Sequence, residues 1–285
     1  MKAWKCIIAV GTGGLLLGAS GALAQINVSD IRALKQKYIN EELGCSGISG
    51  IVSKHVNTPV GQGWGGYSPT EWYLAADLTR AAGCGNNSGE SRLQAALDYA
   101  EGRAIENWWE REIGVPWALA EGLLRGGGSV RSDLRARLER ALRNFIGMQS
   151  LGEHNGANTV WRGWARLLAA FYFEDTALAQ SAVDLMATAT SQGSYAHIQY
   201  DWSYFFHYDV LNMHYGGQHF GDFARYLQFT ENTPFALDAR VNPDDAQRRT
   251  GLELHLLWFK NFVRWIYYQG YGDPYTVSKF PHKQG

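Results

Sequence analysis

Residues Val130 to Gln149 read VRSDLRARLERALRNFIGMQ, and their periodicity sets the fold class. Leu134, Leu138, Ala141, Leu142, Phe145 and Ile146 recur at three- and four-residue spacing, which places them on one face of a helix with the arginines opposite. The same periodicity runs through Ile31–Leu43, Trp72–Ala82, Leu93–Trp109, Trp161–Phe173, Ala177–Ala189, Phe220–Phe229 and Leu252–Tyr268. Glycine-rich turns separate them: GQGWGG from Gly61, CGNNSG from Cys84 and RGGG from Arg125. Alternation of the strand type is hard to find. The expectation is an all-α domain of short-looped helices, either a bundle or a ring of helical hairpins; periodicity does not choose between them.

The N-terminus has its own character. Lys2 and Lys5 precede an apolar run from Cys6 to Leu17, and Ala22-Leu23-Ala24 stands before Gln25, the pattern of a secretory signal peptide over residues 1–24. The run is too short to span a membrane as a helix. A soluble exported chain over residues 25–285, extracellular or periplasmic, is expected. Removing the leader takes two of 26 basic residues and none of 27 acidic ones, leaving a net charge of −3. So acidic a balance argues against general nucleic-acid binding. Cys45 and Cys84 are the cysteines that remain; an oxidising compartment makes a bond between them plausible, two buried free thiols are the alternative, and the sequence alone does not separate the two.

Aromatic residues make up 13% of the chain, enough to furnish both a core and a binding surface. Trp108 and Trp109 are adjacent and cannot both point inward from one helix, so at least one lines a surface or cleft. Three segments hold groups suited to chemistry: NWWEREIGVPWAL from Asn107, HNGANTVW from His154, and YFFHYDVLNMHYGGQHFGDFARY from Tyr204 to Tyr226. The last packs three histidines and four tyrosines into one stretch.

These segments, in this order, resemble polysaccharide lyase family 8, the hyaluronate, chondroitin AC and xanthan lyases. The likeness runs from about Asn107 to Pro274. It includes the paired tryptophans, the Gly156-Ala157-Asn158 turn, the Asp201-Trp202-Ser203-Tyr204 stretch where the family motif reads Asp-Gly-Ser-Phe, and FVRWIYYQGYGDP from Phe262. The resemblance implies an incomplete α/α toroid and cleavage of uronic-acid-containing polysaccharides by β-elimination, with no cofactor. An anionic polysaccharide is then the partner, and a monomer is expected.

Elimination from a uronate requires groups that neutralise its carboxylate, a base for the C5 proton and an acid for the departing oxygen. The resemblance assigns the first task to Asn158, with His207 contacting the carboxylate or sharing proton abstraction. Tyr215, immediately before Gly216-Gly217, is the proton-transferring phenol, and Tyr208 and His214 are its substitutes. Trp108 and Trp109 match the family's aromatic patch, joined by Trp161, with Arg162 and Arg166 as possible positive charge beside the cleft. Taken alone, Asn158 reads first as an Asx-turn or helix-cap residue, and the other segments turn the reading toward the site. The family's arginine-bearing segment and its β-sandwich domains have no counterpart after Arg264, which suggests either a truncated or frame-shifted version or a minimal variant in which Arg264, Lys260 or Lys279 supplies the cation.

Other classes compete with this reading. A metal held by His207, His214 and His219, with Asp209 or Asp222 as a fourth ligand, lacks the four-residue spacing that stacks ligands on a helix, so no metal is expected. A toroid glycoside hydrolase needs two carboxylates facing across a cleft, from Glu110, Glu112, Asp201 and Asp209. A non-catalytic carbohydrate-binding remnant of such a lyase is the third reading.

Overall fold

The computed structural model describes residues 25–56, 70–151, 156–193, 197–206, 210–211, 213–268 and 271–272. They are overwhelmingly helical. Two compact units emerge, one made of Ile26–Leu151 with Arg162–Ala182, the other of the described residues between Gly152 and Trp161 and from Val183 onward.

In the first unit, α1 (Val28–Glu42) starts at a capping box in which the Asn27 side chain accepts from the Asp30 amide and the Asp30 carboxylate accepts from the Asn27 amide. It is followed by α2 (Ile48–Val56), α3 (Thr70–Gly83), α4 (Glu90–Ala100), α5 (Val115–Gly126) and α6 (Ser132–Gly147). Helices α3 and α5 cross at backbone contact, because a Cβ at Gly122 or Gly126 would overlap the Ala76 and Thr79 carbonyls. The six apolar positions expected on α6 are the six it buries. Phe145 meets the edge of Trp72, with ring centroids 5.5 Å apart. Cys45 and Cys84 are bonded, which ties the start of α2 to the end of α3.

Helix α7 (Ala157–Phe173) begins in the second unit and continues in the first, and α8 (Thr176–Thr188) passes back from the first to the second. The second unit adds α9 (Met213–Thr230), α10 (Gly251–Trp258) and the short α11 (Arg264–Ile266). Its core gathers Ile198, Tyr204, Phe220, Trp258 and Val263, with Trp202, Tyr215, Phe259 and Phe262 packed at the margin. Strand among the described residues is limited to two antiparallel pairs, β1 (Phe205–Phe206) with β2 (Val210–Leu211) and β3 (Tyr267–Tyr268) with β4 (Tyr271–Gly272).

Three boundaries differ from the sequence expectation. The helix read as Leu93–Trp109 ends at Ala100, where Gly102 takes φ 82° and turns the chain. A new helical turn starts at Trp108, with the Asn107 side chain accepting from the Trp109 amide at 2.9 Å. The helix read from Phe220 starts at Met213, so Tyr215 lies within its first turn and Gly216-Gly217 are helical rather than a turn. The helix read as Leu252–Tyr268 is interrupted by a π-helical turn at Phe259–Val263 and gives way to strand at Tyr267. The GQGWGG turn lies outside the described residues.

Candidate active site

In the second unit the site is built on the start of α7. Gly156 has φ 84°, and its amide donates to the Ala189 carbonyl at 3.0 Å. A Cβ there would strike the His197 ring and the Tyr204 hydroxyl, so this turn is closed to larger residues on two counts. The Gly156 carbonyl accepts from the Thr159 and Val160 amides and closes the first turn. Asn158 sits inside that turn rather than before it, and its buried Oδ1 accepts no hydrogen bond among the described residues. It is therefore not the helix cap that the sequence left open as an alternative.

Three residues on, and so on the same helix face, stands Trp161. Its indole N–H donates to Asp222 Oδ2 at 2.6 Å, and its ring centroid lies 6.1 Å from that of Tyr215, tilted by 50°. Tyr215 and Asp222 are seven residues apart on α9, which returns them to one face. Partial burial pushes the Tyr215 phenol above its ordinary value. Burial also raises the Asp222 carboxyl, against the opposing effects of the Trp161 hydrogen bond and the Arg225 charge. The structure thus sets Trp161 beside Tyr215, with Asn158 one turn back along α7.

His207 and Tyr208 lie outside the described residues, between β1 and β2 in the chain, and His214 falls in α9 with its side chain outside the description. What frames the β1–β2 pair is clear. The Phe205 amide donates to the His197 carbonyl at 2.8 Å, and His197 Nδ1 lies 2.9 Å from the Phe205 carbonyl. A carbonyl only accepts, so Nδ1 carries the ring proton. Tyr204 stacks on Trp258 with centroids 5.4 Å apart, and burial drives its phenol far upward, with the neighbouring Ala157 amide opposing. Trp202, where the resembled motif has glycine, holds φ 70°. A bulky side chain is rarely found there.

His219 is fully buried, its Nε2 3.1 Å from the Thr190 hydroxyl. Burial first, then the nearby His255 and His197, hold its imidazole well below the usual histidine range. His255 is stacked on Phe220 at 4.2 Å, and burial lowers it to about 3. Among the described residues no group of three metal-ligating side chains converges.

The paired tryptophans belong to the first unit. Trp108 is 42% exposed and Trp109 half-buried, and a π-helical turn, Glu110–Gly114, follows them directly. Such turns add a residue to the helical ladder and re-aim the side chains beside them. Glu112 points inward and meets Arg162, with guanidinium nitrogens 3.0 and 3.1 Å from Oε2. The Ser150 amide donates to the same oxygen, and Gln149 donates to the Glu112 carbonyl. The Arg162 guanidinium lies 5.2 Å from the Trp108 ring centre. Arg162 is only 2% exposed, and Arg166 is bonded to Ser181 and Gln149. Neither is the free cleft-side cation that the sequence allowed; both are structural.

The carboxylates considered for hydrolysis are likewise engaged. Glu110 accepts from the Tyr73 hydroxyl, Glu112 pairs with Arg162, and Asp201 caps Ser203. Asp209 lies outside the described residues. Of the cations suggested as substitutes, Lys260 and Arg264 are exposed, with Arg264 4.4 Å from the Trp265 ring centre, and Lys279 lies outside the described residues.

Sequence reasoning considered Asp222 only as a metal ligand and missed His197. Asp222 carried a usable signal, its seven-residue spacing from Tyr215 on an amphipathic helix. For His197 there was none, since its role depends on a turn 41 residues earlier in the chain, at Gly156.

No family model and no curated protein sequence matches the chain. Solved structures do. A chondroitinase AC lyase, solved in complexes with oligosaccharides, aligns over 86% of this chain and 38% of its own, at 18% identity and a TM-score of 0.62. The xanthan lyase of Paenibacillus aligns over 87% of this chain and 27% of its own, at 14% identity and a TM-score of 0.60. The chondroitin AC lyase of Streptomyces coelicolor A3, in complex with chondroitin sulphate, aligns over 91% and 36%, at 16% identity and a TM-score of 0.57. The chain spans between a quarter and two fifths of these enzymes' lengths. At such identities the likeness establishes the fold, which is the incomplete α/α toroid of the chondroitin AC and xanthan lyases of polysaccharide lyase family 8.

Proposed function

We propose that the protein is a secreted lyase that cleaves uronic-acid-containing polysaccharides by β-elimination, using Asn158, His207 and Tyr215 on the substrate and Trp108, Trp109 and Trp161 as surfaces for its sugar rings. The observation that supports this reading is the approach of Trp161 to Tyr215, one turn of α7 from Asn158, whose side-chain oxygen is unspent on capping.

The chemistry follows from the groups. Loss of the C5 proton places a second negative charge beside a carboxylate that already carries one. The Asn158 amide, with the amide-rich start of α7 behind it, and the His207 imidazole donate to that carboxylate and stabilise the enolate-like charge. Tyr215 takes the C5 proton. Electrons from the C–H bond form the C4–C5 double bond, the C4–O bond breaks, and the phenol returns its proton to the departing oxygen. The products are an unsaturated uronate and a new chain end, with no water consumed. A phenol raised by burial gives a strong base once ionised, but needs a nearby cation or hydrogen-bond donor to lose its own proton before the first step. An indole face suits a sugar ring, whose C–H bonds meet the negative π-face.

Export is supported by the leader-like first 24 residues and by the bonded pair Cys45 and Cys84, which suits an oxidising compartment. Hydrolysis is disfavoured because Glu110, Glu112 and Asp201 are each engaged within the protein.

The test is to incubate the protein with hyaluronan, chondroitin, xanthan and alginate and to follow the ultraviolet absorbance of the unsaturated uronate. Absorbance that grows with the parent protein and is lost in Tyr215→Phe, with polymer binding retained, is the expected result. Growth of reducing ends without absorbance would mean a hydrolase. Binding without either would mean a carbohydrate-binding protein.

A further inference from the structure

Trp161 has one polar atom, its indole N–H, and that atom is committed to Asp222 at 2.6 Å. An indole N–H only donates and an ionised carboxylate only accepts, so the pair has a single sense. The bond joins α7, which carries Asn158, to α9, which carries Tyr215. It fixes the rotation of the ring that lies beside Tyr215. Asp222 is half-buried, has Arg225 as its neighbouring charge, and lies two helical turns from Tyr215. A carboxyl group there is costly, because removal from water disfavours its charge, as the upward displacement of Asp222 records. What that carboxylate holds is the Trp161 indole.

We propose that Asp222 is a positioning residue of the uronate site, holding the Trp161 indole so that Asn158 and Tyr215 keep the separation the elimination requires. The inference rests on the lyase reading above. In this reading Asp222 acts through Trp161, whose indole its Oδ2 accepts. A displacement on the order of 1 Å between reacting groups costs about 100-fold in rate, which sets the scale of the effect.

The experiment is a double-mutant cycle on the full chain, with Asp222→Ala, Trp161→Phe and the two combined, and Asp222→Asn as the conservative variant. Circular dichroism of each variant establishes that it is folded. Asp222→Ala is expected to lower kcat by about tenfold or more with KM changed by less than about threefold. Asp222→Asn, whose amide carbonyl still accepts the indole proton, is expected to remain within about threefold of the parent. In the Trp161→Phe background, where no indole proton exists, Asp222→Ala is expected to add nothing.

Equal losses from Asp222→Ala in both backgrounds would overturn the proposal, because Asp222 would then act independently of Trp161. So would an unaffected Asp222→Ala, or an Asp222→Asn as poor as the alanine variant. Either of these with an active parent leaves the lyase reading standing. A parent that binds the polymers without cleaving them removes the lyase reading alone, and the same cycle is then read on the dissociation constant by the same criteria. A parent that neither binds nor cleaves any of them removes both.

Discussion

Lowering the pH from 7 to 5 should destabilise this protein through a histidine that touches no substrate in the proposed site. His255 is buried, lies flat against Phe220 with an interplanar angle of 15°, and has no hydrogen-bond partner on either ring nitrogen among the described residues. Burial lowers it to about 3 in the folded state. An unfolded histidine titrates near 6.5, so below that pH the unfolded chain binds a proton that the folded chain refuses. Stability from this group is therefore complete above pH 6.5 and is lost as the pH falls toward 3. Integrating between pH 7 and 5 gives about 2 kcal/mol, approaching about 1.4 kcal/mol for each further pH unit. His219, also depressed, acts in the same direction. The assay is urea denaturation at pH 7, 6 and 5 for the parent and His255→Phe. Phenylalanine keeps the stack and removes two unpartnered polar atoms, so the variant should be at least as stable at pH 7. Its stability should also fall by about 2 kcal/mol less than the parent's on going to pH 5. Parallel pH dependence in the two proteins would refute the reasoning.

Three further outcomes are expected. Because burial raises Tyr215, its reactive phenolate grows scarcer below pH 10, so kcat/KM for unsaturated product should keep rising with pH through the alkaline range; a plateau near neutrality would reassign the base. Arg162→Met leaves the buried Glu112 carboxylate to Arg111, 3.6 Å from Oε1, and the Ser150 amide, and should cost about 3 kcal/mol in urea denaturation, with Glu112→Gln added to it recovering part of the loss. Reducing the bond between Cys45 and Cys84, which are 39 residues apart, should lower stability by about 4 kcal/mol through the freedom regained by the unfolded chain, measured as the urea midpoint with and without reductant.

Local information sufficed for much of this molecule. The stripe Leu134, Leu138, Ala141, Leu142, Phe145 and Ile146 was legible because an amphipathic helix repeats every few residues, and all six are buried. The chain order of the paired tryptophans, the Gly-Ala-Asn turn and the histidine- and tyrosine-rich stretch was enough to suggest the toroid that the solved lyases share. Helix ends were less legible where side chains decide them. The break after Ala100 depends on a positive φ at Gly102 and on Asn107 capping the next helix. The start of α9 at Met213 runs through a Gly-Gly pair that local propensity reads as a turn.

At the site, the residue types suited to uronate chemistry were readable in the sequence, as was the entry of the Asn158 turn into the Trp161 helix; that Tyr215 and Asp222 share one helix was not. Only the tertiary structure decided how those residues meet. Whether Asn158 caps a helix or keeps its side chain unspent, whether Arg162 faces solvent or a buried glutamate, and whether Trp161 finds its acceptor in Asp222 are contacts across 50 to 61 residues of chain, or depend on them. A hydrogen-bond donor is indifferent to sequence distance, and only packing specifies which acceptor lies within reach.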